Sequence, residues 1–100
     1  MSPQTQDIEN LIGESLRQLR SDLALPELEK VDASTPLLGE GSDLDSMAIV
    51  HLIVDIEGRL QKSYGKNWIL ADERALSRKR SPFRSIGDLG RFIIETEPAE

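Results

Sequence analysis

Few side chains in this 100-residue sequence have both the type and the company for chemistry, and those few gather around Ser46. The surrounding stretch reads Asp43-Leu44-Asp45-Ser46-Met47, and the chain's single histidine, His51, follows five residues after the serine. In a helix, five residues turn the chain by about 500°, or about 140° around the axis, so Ser46 and His51 do not face each other. A serine nucleophile needs its base within hydrogen-bond reach, which excludes this pair. One histidine, no cysteine and carboxylates without ligand spacing make no metal site. The absence of cysteine also removes disulfides and thiolate nucleophiles, so any thiol chemistry must come from a prosthetic group. The bare chain is therefore expected not to be an enzyme. Gly39-Glu40-Gly41 lacks the lysine and the spacing of a nucleotide-binding loop and reads as a turn.

What Ser46 and its acidic neighbours do suit is the start of a helix. The oxygens of Asp43, Asp45 and Ser46 can accept hydrogen bonds from first-turn N–H groups, and carboxylates favour the positive end of the helix dipole. A phosphate on Ser46 would sit in the same field. The helix itself is legible from Ser46 onward. Ile49, Leu52, Ile53, Ile56 and Leu60 recur at helical spacing and form a core-facing stripe. Met47, Val50 and Val54 fall on the opposite side with His51 beside them, where an ordinary surface helix carries charge. A chain this short has little room to bury a helix all round. The outer face is therefore expected to be offered to something else.

The remaining elements follow from similar patterns. Thr5 to Ala24 reads as a first helix with the stripe Ile8, Leu11, Ile12, Leu16, Leu19 and Leu23, and Pro26 limits it. Pro26 to Ser42 is a long connection, expected to be pinned by Leu37 and Leu38 with help from Val31, and to start a helical turn at Ser34-Thr35-Pro36. Gly65 and Asn67 are stop signals for the central helix, and Tyr64 and Trp68 are expected to cap the end of the core. A short helix is expected from Asp72 to Arg78. The basic run Arg74, Arg78, Lys79, Arg80 and Arg84 reads as a solvated face, with a contact for an anionic partner as the sharper alternative. Ser85 caps a last helix, with Asp88 three residues on and Ile86, Leu89, Phe92 and Ile93 as its stripe. Residues 1–4 and 96–100 are expected to fray.

The triplet Asp45-Ser46-Met47, preceded by Leu44 and followed by apolar residues in register, resembles the acyl carrier proteins of fatty-acid and polyketide synthesis. Thr35-Pro36-Leu37-Leu38-Gly39-Glu40-Gly41 is similar to the approach loop of such carriers, and Ser85-Ile86-Gly87-Asp88-Leu89 to the start of their last helix. The likeness spans most of the chain. It implies an all-α four-helix bundle of acyl-carrier type, with three main helices, one short helix and a long first loop. It also implies 4′-phosphopantetheine, derived from coenzyme A, on Ser46, with Asp45 assisting the modification. The implied partners are a phosphopantetheinyl transferase and acyl-loading and acyl-transferring enzymes, meeting a face built from Leu44, Met47, Val50, His51, Val54 and Glu57. The sequence departs from the family pattern at three places. Ala48 and His51 stand where partner-contacting acidic residues are usual, the stretch from Leu60 to Ile86 is longer than in compact members, and that stretch is basic where the family is acidic.

Composition sets outer bounds. One hundred residues make one domain, and 38% hydrophobic residues with only four aromatics call for an aliphatic core, which suits a helical bundle. The net charge of −6 is uneven: residues 1–60 hold 12 acidic and 4 basic residues, net −8, and residues 61–100 hold 6 and 8, net +2. An acidic first part repels nucleic acid and suits partners with basic surfaces. The apolar runs are shorter than a membrane span and the first residues show no secretory signal, so a cytoplasmic monomer is expected. Two other functions fit the same features: an unmodified helical adaptor using the Met47/Val50/Val54 face, and an aminoacyl or peptidyl carrier of nonribosomal-peptide type.

Overall fold

The structure, a computed structural model, describes residues 4–28, 30–37, 44–70 and 83–96. Among these residues the chain forms three helices and no strand: α1 (Thr5–Asp22), α2 (Ser46–Tyr64) and α3 (Ile86–Glu95). The molecule is a small all-helical assembly in which α1 packs against both α2 and α3. The expected short helix at Asp72–Arg78, most of the basic run, Leu38, Gly39-Glu40-Gly41, Asp43 and the outermost ends lie outside the described residues.

Local chemistry sets the starts of α2 and α3 and the ends of α1 and α2. Asp45 is the N-cap of α2 and its carboxylate accepts the Ala48 N–H at 2.8 Å. Ser85 does the same for α3, its hydroxyl accepting the Asp88 N–H at 3.2 Å. Gly65 ends α2 in the left-handed region at φ 69°, where a residue without Cβ is unstrained. α1 ends two residues earlier than its apolar pattern suggests. The Leu25 N–H donates to the Arg20 carbonyl at 2.8 Å and the Ala24 N–H to the Ser21 carbonyl at 3.1 Å, the double bond of a Schellman stop. Ala24 takes the left-handed position at φ 56°. Arg20 is buried and donates from Nε and Nη2 to the Pro26 carbonyl at 2.9 and 2.7 Å, fixing the turn.

The stripes meet in one aliphatic core. Ile8, Ile12 and Leu16 of α1, Leu52, Ile53, Ile56 and Leu60 of α2, and Ile86, Leu89 and Ile93 of α3 are fully buried. At about 1.5–3 kcal/mol for each buried aliphatic side chain, this core dominates the favourable side of folding. Leu37, Leu70 and Phe83 enter it from the connections. Leu23 does not: it is 47% exposed.

The connection after α1 is stitched to the start of α3. Its turn lies at Asp32–Thr35, before the expected position: the Thr35 N–H donates to the Asp32 carbonyl at 3.0 Å and the Ser34 N–H to the Asp32 carboxylate at 2.9 Å. Pro36 and Ser85 then pair as an isolated antiparallel bridge. The Leu37 N–H donates to the Arg84 carbonyl, the Ile86 N–H to the Thr35 carbonyl and the Gly87 N–H to the Ala33 carbonyl, at 2.9, 3.1 and 2.8 Å. At the other end of α3, the Trp68 indole N–H reaches the carbonyls of Ile93 and Thr96 at 3.1 and 3.0 Å, satisfying groups that a helix end leaves open. Tyr64 packs edge-on against Trp68 with ring centroids 6.0 Å apart, so both aromatics close this end of the core.

Candidate functional site: the start and outer face of the second helix

The two ends of the site are set by the local sequence. Asp45 caps, and Ser46 is the first residue of α2, so it stands at the positive end of a 19-residue helix. The Ser46 side chain lies outside the described residues. Asp45 is exposed beside it. Downstream, the outer face is as apolar as its spacing predicts: Met47, Val50 and Val54 are 67%, 52% and 59% exposed, and His51 is exposed among them.

Three neighbouring positions differ from their expected setting. Leu44 is buried at 7% exposure and belongs to the core, so it supports the approach to α2 from inside and is not part of the outer face. Ala48 is buried as well, one turn before the buried Leu52 on the core-facing side of the helix. Glu57 is half-buried, and its carboxylate accepts the Leu70 N–H at 2.7 Å. It thereby holds the segment after α2 against that helix.

The border of this face toward α1 is polar. Ser15, buried on α1, donates to the Asp55 carboxylate at 2.5 Å, and Arg59 donates from Nε to the same oxygen at 2.6 Å. Arg59 also reaches Glu14 at 3.7 Å, which ties α1 and α2 across their seam. Burial pushes the Asp55 carboxyl up, but the Ser15 and Arg59 hydrogen bonds and the Arg59 charge outweigh it and hold the group below its ordinary range. Sequence reasoning missed this latch. The Asp55–Arg59 spacing of four was a visible signal, whereas Ser15 comes from forty residues away.

Beyond the latch, α1 and α2 enclose a groove of about 430 Å³ whose lining includes Leu19, Leu23, His51 and Val54. The apolar outer face therefore does not stop at the edge of α2. Among the described residues no three of His, Cys, Asp and Glu are grouped so that they could hold a metal ion. Nor is any described helix long and apolar enough to cross a membrane. No protein-family model matches the chain, no curated protein matches it, and no solved structure matches it.

Proposed function

We propose that the chain is a carrier protein of the acyl-carrier type, a four-helix bundle modified at Ser46 with 4′-phosphopantetheine. The observation that carries this reading is the position of Ser46: first residue of α2, directly after the capping Asp45, next to an outer face bearing exposed Met47, Val50 and Val54. The residues fit the group. A phosphodiester at the first residue of a long helix lies in the field of the helix dipole, near first-turn N–H groups. When bound, the group supplies the thiol that a cysteine-free chain lacks, and an acyl cargo is held there as a thioester.

The protein's own residues do the rest. Asp45 fixes where the helix begins and so where the arm is anchored. The buried stripe of α2 makes that anchor rigid, and the outer face meets the transferase and the acyl-loading and acyl-transferring enzymes in turn. Treatment with coenzyme A and a broad-specificity phosphopantetheinyl transferase, followed by intact-mass measurement, tests this. The expected result is the mass gain of one phosphopantetheine, abolished in Ser46→Ala. An unchanged wild-type mass overturns the carrier reading and leaves the unmodified adaptor, which the extension of the apolar face onto α1 favours. In the holo form, the double variant Val50→Asp/Val54→Asp should keep its helical circular dichroism yet lose cargo transfer from a cognate enzyme.

A further inference from the structure

We propose that Met47 is an oxidation site whose sulfoxide form closes Ser46 to the phosphopantetheinyl transferase. The chain has two methionines, Met1 and Met47, and no cysteine. Before modification, therefore, no thiolate competes with them for a two-electron oxidant. Met47 is 67% exposed, the most exposed of the large apolar side chains among the described residues. It directly follows Ser46 on the first turn of α2, with the two Cα atoms about 3.8 Å apart. An enzyme that attaches a group to the Ser46 hydroxyl must cover this side chain. The switch requires Ser46 to be the modified residue and so rests on the carrier reading.

The oxidant is hydrogen peroxide, and the step balances. A lone pair of the thioether sulfur attacks one peroxide oxygen and the O–O bond breaks. The S–O bond forms, and the sulfur gives up two electrons to the peroxide. The departing hydroxide takes the proton of the transferred oxygen and leaves as water. A flexible apolar side chain thereby becomes a polar, chiral one. Once covered by the transferase, the new oxygen loses its water and costs the contact unless a donor meets it. Met47 stands outside the packed core, so the change falls on the surface beside the anchor and leaves the helices intact. Methionine sulfoxide reductases reverse it, which makes it a switch and not only a lesion.

The test treats the full unmodified chain with hydrogen peroxide, removes the peroxide, and locates added oxygen by peptide mass mapping. Treated and untreated chains then meet coenzyme A and the broad-specificity transferase, and intact mass reads the rate of phosphopantetheine gain. The expected result is one oxygen on Met47 and loading slowed by about tenfold, with unchanged helical circular dichroism. Methionine sulfoxide reductase should restore the rate. Met47→Leu keeps Met1 and is compared only with itself: its loading rate should be the same with and without peroxide. Four results overturn the proposal: Met47 left unoxidised at a dose that oxidises free methionine, an unchanged rate after oxidation, slowing that persists in Met47→Leu, or loss of helical dichroism on oxidation. An untreated chain that gains no phosphopantetheine overturns the carrier reading and this switch together. A chain that loads equally well before and after oxidation overturns the switch alone.

Discussion

Ala24 shows how much a single backbone angle decides. It stands in the left-handed region at φ 56°, where an L side chain costs about 1–2 kcal/mol and glycine costs almost nothing. At the end of α2 the corresponding conformation is filled by Gly65. Replacing Ala24 with glycine relieves that strain but gives the unfolded chain more freedom, which takes back part of the gain. Ala24→Gly should therefore stabilise the protein by about 0.5–1 kcal/mol, read as a raised urea midpoint with an unchanged slope. A lower midpoint would mean that the turn at Arg20 and Pro26 is held by something other than this conformation. The contrast also explains which helix end was legible. Gly65 announces a stop in the sequence. Nothing in Asp22-Leu23-Ala24-Leu25 does, so the apolar pattern runs past the true end and makes Leu23 look like core.

Between elements, the Asp55 latch makes the seam of α1 and α2 sensitive to acid. The carboxyl titrates lower in the folded chain than its ordinary value of 3.8, so the folded state holds on to the charged form. Its contribution is complete above that ordinary value and is lost as pH falls through the lower folded value. Asp55→Asn should flatten the acid limb of a stability-against-pH curve while leaving its shape near neutrality unchanged. An identical acid limb in the variant would show that other carboxylates set the slope. At this scale the sequence was most informative where partners are close along the chain: the stripes, the caps Asp45 and Ser85, and the spacing of Asp55 and Arg59. It was silent where they are distant. Ser15 looks like any helical serine until α2 is laid beside it, and Glu57 looks like a free surface acid until Leu70 folds back onto it.

For the molecule as a whole, the join between the first connection and α3 matters as much as the helix contacts. A Cβ on Gly87 would lie 2.9 Å from the Ala33 carbonyl oxygen and 3.1 Å from the Ala33 Cβ. Alanine is worth up to about 1 kcal/mol over glycine in a helix, but a backbone oxygen cannot swing aside as a side-chain tip can. Gly87→Ala should therefore destabilise by about 1–3 kcal/mol in thermal or urea unfolding, and a neutral result would show that this join gives way cheaply. The sequence marked residues 26–42 as a connection too long to be idle, and Leu37 does pin it. The bridge partner at Ser85 was hidden because pairing between such distant segments leaves no periodicity to read. The other end of α3 offers an optical handle. Trp68 is the only tryptophan in the chain, buried against the carbonyls of Ile93 and Thr96. Its emission therefore reports whether the C-terminal end of the last helix is seated, while far-ultraviolet dichroism counts all helices at once. If the two signals melt together the fold is one cooperative unit, and if the blue-shifted fluorescence is lost first, α3 is the part that lets go before the rest.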